Sequence, residues 1–310
     1  MSYTLTEINE AIFKEYQAMC EGFYSVNTSR AYLKAFHILT KWGEEVLGKH
    51  LLQLTQEDAQ AFIRDLQELK NEDGSYKLKD NTLERRLSAF ISIYHFLGEH
   101  YQKENIFDGL TINRVPRHEL VEKEAFDYLT DQQVEELLMT IKIHAQNNFL
   151  ALRDTFMVRL LVSTGLTVEE MIHLTLDQVD FKNQQLTLKD GRVLPLSKRL
   201  EENYQRYLIE REKYAERKPE NDRYVFLSLR GALLSPQNNN ATLRKAGRLA
   251  GFPFTLSGSN LRHTYAVRQL NGNVPVEVVS KRMGHQRLYY TLRLYSAFIR
   301  GDYYEKDLAF

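Results

Sequence analysis

Hydrophobic residues recur at helical spacing in three stretches of the first hundred residues, each preceded by polar residues that can cap a helix. The first stripe follows Asn27-Thr28-Ser29, the second follows Leu54-Thr55, and the third begins near Asn81-Thr82. Their apolar members are Tyr32, Leu33, Phe36, Leu39 and Trp42, then Ala59, Phe62, Ile63 and Leu66, then Leu83, Leu87, Phe90, Ile91, Tyr94 and Leu97. The pattern predicts a small helical bundle with these stripes as its core.

A strand pattern is clear at one place in the second half of the chain. Residues 184–188 and 192–196 favour two strands joined by a two-residue hairpin turn, since Asp190-Gly191 tolerates positive φ angles. Pro195 has no N–H to donate, so we expect it at a sheet edge. Helical patterns precede and follow this hairpin, and Leu129-Thr130 starts the first of them. We predict a mainly α fold with a small β-hairpin insert.

Length and composition agree with two domains in one chain. The 310 residues, of which 43% are hydrophobic, suffice for two cores. The stretch from Arg114 to Asp127 contains Pro116 and many charges but has no sustained periodicity. We therefore predict an N-terminal domain at 1–110, a linker at 111–127 and a C-terminal domain at 128–310.

Several classes of protein are disfavoured. No apolar run approaches the roughly 18 residues of a membrane span, and the N-terminus lacks the basic then apolar build of a signal peptide. Cys20 is the only cysteine, which excludes an internal disulfide and a cysteine-based zinc site. We expect a cytoplasmic protein without a membrane contact, a metal ion or another cofactor.

The net charge is zero, but the charges are unevenly distributed. Residues 241–300 carry ten Lys and Arg against one acidic residue, a net charge of +9. Residues 1–110 carry twelve basic and seventeen acidic residues, a net charge of −5. A basic segment is what contacts to nucleic-acid phosphates require. Within it, Arg244, Lys245 and Arg248 are our candidates for such contacts.

Three short segments near the C-terminus carry Arg, His and Tyr in a distinctive order. They read Asn260-Leu261-Arg262-His263-Thr264, then Met283-Gly284-His285, then Thr291-Leu292-Arg293-Leu294-Tyr295. This order resembles the catalytic end of the tyrosine recombinases and is most similar to their Xer-type and phage-integrase branch. The resemblance implies duplex DNA as the partner and a 3′-phosphotyrosyl link as the chemistry.

The resemblance covers nearly the whole chain, with departures at the site. Residues 160–171 look like the family's LLYATGLRVSEL box, but Thr167 stands where the family has its first catalytic arginine. Ser259 likewise replaces the first histidine of the HxLRHT box. The hairpin is similar to one in phage integrases whose first lysine is catalytic, which maps that role to Lys189. Tyr295 follows His285 by ten residues, where nine is common.

The resemblance also gives each matching residue a role. Arg262 would hold the non-bridging oxygens of the scissile phosphate, and Lys189 would protonate the 5′-oxygen leaving group. His285 would assist proton movement, and Tyr295 would be the nucleophile. These roles are chemically reasonable, because a guanidinium fork bonds two oxygens at once. A phenol with a pKa of about 10 is a poor nucleophile until its proton is accepted.

A two-domain architecture follows from the same resemblance. The N-terminal bundle is similar to the core-binding domain that forms half of a C-shaped clamp, and the second domain to the tyrosine-recombinase catalytic domain. Lys34, Arg85 and Arg86 would contact phosphates from the first half. An apolar tail would dock on a neighbouring protomer on DNA, either another copy or a different recombinase. Its residues are Phe298, Ile299, Tyr303, Tyr304, Leu308 and Phe310.

The substitutions at Thr167 and Ser259 predict impaired strand cleavage. Loss of one preorganised donor to a developing oxyanion costs about 3–4 kcal/mol, although groups that act as a unit are rarely additive. One alternative is an active recombinase with an adapted site, in which a nearby arginine such as Arg159 takes over. Another is a non-enzymatic regulator that contacts an active recombinase through its tail.

Each site residue also has a purely structural interpretation. Thr167 and Glu170 form a T-x-x-E capping box, and we favour helix capping at this position. Lys189 would then be the last residue of a strand, and His285 a residue beside a glycine helix stop. Tyr295 would pack its ring with the hydroxyl in water, as most tyrosines do.

Overall fold

The computed structural model describes residues 7–112 and 126–299, which belong to two compact units, Met1–Val121 and Glu122–Phe310. The tail residues Tyr303, Tyr304, Leu308 and Phe310 lie outside the described residues, as does most of the predicted linker. In the described part of the chain, no helix is both long and apolar enough to cross a membrane.

The first unit is the helical bundle that the sequence predicts. Its helices are α1 (Glu7–Phe23), α2 (Val26–Trp42), α3 (Gln56–Glu68) and α4 (Asp80–Tyr101). The hydrophobic stripes do not reveal α1, because its buried positions are occupied partly by polar or ambiguous types such as Asn9, Tyr16 and Cys20. Within residues 7–112 the bundle therefore contains one α-helix more than the three predicted.

The starts of these helices test the predicted caps. Thr55 caps α3, and Asp58 accepts the Thr55 N–H at 2.8 Å, which completes a capping box. The predicted cap of α2 at 27–29 is wrong by two residues, since α2 begins at Val26. Ser25 is the N-cap, and its hydroxyl accepts the Thr28 N–H at 3.3 Å.

The second unit contains eight helices within the described residues 126–299, arranged around α6. They are α5 (Asp131–His144), α6 (Asn148–Thr164), α7 (Val168–Ile172), α8 (Lys198–Ala215), α9 (Pro236–Leu249), α10 (Gly258–Asn271), α11 (Val276–Met283) and α12 (Leu288–Tyr295). Helix α6 is buried on most of its circumference because it packs against α5, α8 and α10. Thr130 caps α5, as the sequence predicts.

A three-stranded antiparallel sheet lies between α7 and α8. Strand β1 (Val179–Asp180) pairs with β2 (Gln185–Thr187), which pairs with β3 (Val193–Pro195). Pro195 therefore lies on an edge strand, which confirms the prediction. The mainly α fold with a small β insert is also confirmed.

The predicted two-residue turn of the hairpin is wrong. The Leu188 N–H donates to the Arg192 carbonyl at 2.8 Å, and the Gly191 N–H donates to the Leu188 carbonyl at 3.0 Å, so three residues form the loop. Only Gly191 has a positive φ, of +85°. Asp190 instead keeps a negative φ, and its carboxylate accepts the Arg192 N–H at 3.1 Å. A three-residue loop of this kind needs one left-handed residue, not two.

Candidate functional site

The site begins where α6 ends. Gly165 ends this helix in the left-handed conformation, with φ at +70°, and a Cβ at this position would lie 2.3 Å from the Tyr265 ring. Both the backbone angle and the available space therefore require glycine. The turn directs the chain into α7 and leaves the Gly165 carbonyl facing α10, where it accepts a hydrogen bond from Arg262.

Thr167 caps α7, in agreement with the structural interpretation. Its hydroxyl accepts the Glu170 N–H at 3.1 Å, and the Glu170 carboxylate accepts the Thr167 N–H at 2.7 Å. The Thr167 hydroxyl also donates to this carboxylate at 2.8 Å. The side chain is fully used within its own helix turn, so position 167 offers no donor or positive charge to a phosphate.

The first turn of α10 lies directly against α7. A Cβ on Gly258 would lie 2.1 Å from Val168 Cγ2, so only glycine permits this approach. The Ser257 N–H donates to the Asn260 side chain at 2.8 Å and forms part of a capping box. Ser259, between them, is exposed. Thr167 and Ser259 therefore lie on helix turns that pack together.

Arg262 projects from the next turn of α10 into a largely buried position. Its Nη1 donates to the Gly165 carbonyl and its Nη2 to the Met283 carbonyl, each at 2.6 Å. Nη1 also lies 3.9 Å from the Glu170 carboxylate. Its guanidinium is thus held by three parts of the unit, with its orientation fixed before any ligand binds.

His285 follows the glycine stop of α11 that the sequence predicts. Gly284 is left-handed, with φ at +72°, and the His285 N–H donates to the Ser280 carbonyl at 3.1 Å. Its Nδ1 lies 2.7 Å from the Thr291 hydroxyl, which donates to Ser280 Oγ at 2.9 Å. Nδ1 must therefore carry a proton, and Nε2 is left as an acceptor.

The surroundings of His285 keep it neutral. Burial lowers its pKa to about 4, with smaller contributions from the positive charges of Arg262 and Arg192. A neutral imidazole with a free Nε2 can accept a proton at physiological pH. The rings of His285 and Tyr290 are nearly perpendicular, at 86°, with their centroids 5.0 Å apart.

Tyr295 ends α12 and is buried, with 1% of its surface exposed. Its hydroxyl lies 2.8 Å from Nδ1 of His263, and burial raises its pKa above the ordinary value. This contact contradicts the expectation that the hydroxyl lies in water. The ring of Phe126 stacks on His263 at 4.3 Å and meets Tyr295 edge-on at 5.2 Å.

His263 is a site residue for which the sequence predicted no role. Burial lowers its pKa to about 4, as does the neighbouring Arg262 charge. Its position directly after Arg262 in the arginine-histidine-threonine run is the signal that could have indicated it. The hydrogen-bond partner of His263 could not be predicted from neighbouring residues, because Tyr295 is 32 residues away along the chain.

Lys189 lies in the loop of the hairpin and is exposed. It lines a cavity of about 240 Å³ together with Glu170 and Arg192. Lys189 thus lines the same cavity as Glu170, whose carboxylate also approaches Arg262. Its ammonium is at the surface, where an approaching ligand can reach it.

Arg192, which directly follows this loop, is a second residue that sequence reasoning missed. Its Nε donates to the Asp190 carboxylate at 2.7 Å, its Nη1 to the Arg282 carbonyl at 3.0 Å, and its Nη2 to the Glu170 carboxylate. Two of these partners lie 22 and 90 residues away along the chain. Only the tertiary fold reveals them.

Arg159, the sequence candidate for a substitute arginine, has different neighbours. Its Nη2 lies 3.6 Å from the Glu135 carboxylate on α5. It lines a cavity of about 520 Å³ with Arg199 and Arg268, and none of the other predicted site residues lines this cavity. The structure therefore does not bring Arg159 to Arg262.

The candidate DNA contacts form one surface in each unit. Arg244, Lys245 and Arg248 are exposed on one side of α9, whose opposite side is buried, and we call them the α9 basic face. Lys34, Arg85 and Arg86 line a groove of about 480 Å³ between α2 and α4, which we call the bundle groove. Each predicted set is thus brought together within its unit.

The described part of the tail packs on its own unit. Phe298 meets Tyr128 edge-on at 5.4 Å and lies 6.0 Å from Phe126. Phe298 and Ile299 both contact the core that contains Tyr295. These two residues are therefore not free to dock elsewhere in this state. Among the described residues, no group of three His, Cys, Asp or Glu side chains is placed to hold a metal ion.

Comparison with known proteins gives consistent matches over both units. Residues 127–298 match the phage integrase family, and residues 14–100 match the phage integrase N-terminal SAM-like domain. The tyrosine recombinase XerC of Anoxybacillus flavithermus is 25% identical over 283 residues, which cover 89% of each chain. The tyrosine recombinase XerA of Pyrococcus horikoshii is 26% identical over 290 residues, which cover 91% of this chain and 87% of that one.

Solved structures share the fold at lower identity. The XerH site-specific recombinase in a post-cleavage complex with palindromic difH substrate has a TM-score of 0.70 and 15% identity, covering 93% of this chain and 81% of that chain. The Tn1549 transposon integrase in complex with transposon right end DNA has a TM-score of 0.69 and 18% identity, covering 92% and 94%.

Proposed function

Because the chain belongs to the phage integrase family, as the resemblance predicts, we propose that it binds duplex DNA as a Xer-type tyrosine recombinase in site-specific recombination, with its own strand cleavage impaired. The curated relatives described above carry the name tyrosine recombinase. The two structural neighbours are held in complexes with DNA or a DNA substrate. The α9 basic face and the bundle groove supply the positive charge that contacts with DNA phosphates need.

The matching residues divide the chemistry in a physically consistent way. Arg262 is oriented by two backbone carbonyls and still has N–H groups for a phosphate oxygen. His285 presents an unprotonated Nε2 that can accept a proton. Lys189 is exposed on the neighbouring loop, where it can reach the leaving oxygen. Of the four residues, only Tyr295 is fully buried, with 1% of its surface exposed.

The position of the Tyr295 hydroxyl carries the proposal of impaired cleavage. It is buried against His263, and burial stabilises the protonated phenol, so the nucleophile must leave this contact before it can attack. Thr167 adds a second obstacle, because the family's first arginine is replaced by a helix cap. Loss of such a donor costs about 3–4 kcal/mol of transition-state stabilisation, roughly 10²–10³ in rate.

A covalent trapping experiment tests the proposal. A binding duplex is first selected from a randomised pool by the wild-type protein, and nicks are then placed along it so that cleavage becomes irreversible. We expect little detergent-resistant protein–DNA adduct from wild type and more from the Thr167→Arg, Ser259→His double variant. Adding Tyr295→Phe to the double variant should remove the adduct, whereas Tyr289→Phe, at a more exposed tyrosine, should leave it unchanged.

Two results would contradict the proposal in different ways. Failure to select any duplex would show that DNA binding is wrong. Abundant wild-type adduct that Tyr295→Phe abolishes would favour the alternative of an active recombinase with an adapted site. The guanidinium of Arg192, which shares Glu170 with Arg262, is the observation that favours this alternative.

A further inference from the structure

Two guanidinium groups converge on one carboxylate at the site. Arg192 Nη2 donates to one oxygen of Glu170, and Arg262 Nη1 lies 3.9 Å from the other. Their side chains are only 12% and 15% exposed. Two positive charges are held close together here, whereas the sequence analysis predicted only one arginine, Arg262, for the phosphate site.

The C-terminal end of α11 orients both groups in the same manner. Arg192 donates from Nη1 to the Arg282 carbonyl at 3.0 Å, and Arg262 donates from Nη2 to the next carbonyl, that of Met283, at 2.6 Å. Carbonyls at a helix C-terminus lack partners within the helix and carry partial negative charge. The two arginines satisfy consecutive carbonyls of this end, which fixes them side by side.

Gly284 permits the close approach of Arg192. A Cβ on this glycine would lie 2.7 Å from Arg192 Cζ, so any other residue would push the guanidinium away. Gly284 directly precedes His285, and both arginine charges contribute to the lowered pKa of His285, after burial. Arg192 therefore belongs to the same electrostatic environment as the matching site residues.

Hydrogen-bond capacity remains for a ligand. A guanidinium has five N–H groups, and the described partners of Arg192 use one on each of its three nitrogens. One N–H on each terminal nitrogen is left, and a guanidinium can donate such N–H groups to phosphate oxygens. The Thr167 hydroxyl donates to Glu170, so the side chain at position 167 offers no donor to a phosphate bound by Arg262.

We propose that Arg192, directly after the hairpin loop, supplies the second guanidinium for the backbone phosphate that Arg262 binds, in place of an arginine at position 167. The proposal rests on the proposed function, in that the ligand is a phosphodiester of duplex DNA. It concerns binding of that phosphate and is independent of whether Tyr295 attacks it. Glu170 remains the counter-ion that keeps the two positive charges adjacent in the unbound protein.

The test is a phosphate scan combined with single substitutions. The duplex selected by the wild-type protein is prepared as a series in which one phosphate at a time is a neutral methylphosphonate. Affinity for each duplex is measured with wild type, Arg192→Met, Arg262→Met and, as a matched control, Arg199→Met. Arg199 is an exposed arginine that pairs with Glu135 and lies outside the site.

We expect Arg192→Met and Arg262→Met each to weaken binding of the unmodified duplex by roughly tenfold or more, as for charge-assisted hydrogen bonds to a phosphate. Both losses should shrink strongly when the same single phosphate is neutral, because the charge that each arginine contacts is then absent. Arg199→Met should show no such coupling at that phosphate. Arg192→Lys, which keeps the charge but loses the fork, should fall between wild type and Arg192→Met.

Other outcomes would overturn the inference. If Arg192→Met weakens every duplex by the same factor, the arginine merely positions the Lys189 loop. If its coupling falls on a phosphate other than that of Arg262, the two do not share a ligand. If Arg192→Met does not fold, as judged by circular dichroism, the same comparison is made with Arg192→Lys and Arg192→Gln. Absence of binding by wild type to any selected duplex would instead refute the proposed function.

Discussion

Substitution of Gly165 by alanine tests how the end of α6 supports Arg262. An L-residue in the left-handed conformation costs about 1–2 kcal/mol. The new Cβ would lie 2.3 Å from the Tyr265 ring, which is 1% exposed and cannot move into solvent. Overpacking of this kind costs about 1–3 kcal/mol. We therefore expect Gly165→Ala to lower the free energy of unfolding by about 2–5 kcal/mol.

Gly251 provides a matched control in the same unit. It has a similar φ of +76°, but a Cβ added there would meet no neighbouring side chain or backbone atom within 4 Å. Gly251→Ala should therefore show the backbone cost alone, about 1–2 kcal/mol. The difference between the two variants measures the clash with Tyr265.

Urea unfolding followed by circular dichroism gives both free energies, and amide hydrogen exchange in α6 and α10 locates the loss. In a Tyr265→Ala background the two glycine substitutions should cost the same, because the obstructing ring is gone. Equal costs in the wild-type background would refute the reasoning, since the ring would then yield freely. Gly165→Ala should also weaken DNA binding, because the Gly165 carbonyl orients Arg262 at 2.6 Å.

Three further predictions concern DNA binding, the tail and pH. Neutralising the α9 basic face should weaken duplex binding and reduce the slope of log K against log salt by roughly 0.9 per lost phosphate contact, as measured by titrations at several salt concentrations; an unchanged slope would exclude this face. Deletion of everything after Arg300 should preserve folding and binding to one half-site but remove cooperativity on a two-half-site duplex, as measured by mobility-shift assays. A large fall in melting temperature with cooperativity intact would instead show that the tail packs on its own unit. The pKa values of His263 and His285 are about 4, below their ordinary 6.5, so the stability that they contribute is complete above about pH 6.5 and is lost as the pH falls through 4. Urea midpoints between pH 7 and 4 should fall less steeply in His263→Asn than in wild type, and the exposed His144→Asn should change nothing.

The sequence predicts well those parts of the fold that depend on neighbouring residues. The helix starts at Thr55 and Thr130 and the capping box at Thr167 depend on partners three residues away, and all three are present. Each of the apolar stripes of α2, α3 and α4 lies within a single helix, and the structure contains all three of these helices. The sequence Asp190-Gly191 predicted the wrong turn type, because the Asp190 carboxylate accepts the Arg192 N–H and Asp190 keeps a negative φ.

The parts of the site that were missed depend on residues far apart in the chain. The match to a known family marks Arg262, His285 and Tyr295, but it cannot indicate what replaces an absent member. Arg192 is positioned by Glu170 and by the end of α11, and these residues approach it only in the folded chain. The enclosure of Tyr295 depends likewise on His263 and Phe126.

The hydroxyl of Thr291 holds the first half of α12 in place. It is buried and bonded to both His285 and Ser280, so the first half of α12 is anchored to the end of α11. Tyr295 lies one turn beyond this anchor, at a rise of roughly 6 Å along the axis. Withdrawal of the phenol from His263 therefore requires that this final turn move together with Phe298 and Ile299, which pack on the same core, while His285 keeps its orientation. Only four residues of helix separate the Tyr295 nucleophile from this fixed point. The hydroxyl can therefore move less far than it could if all of α12 were released.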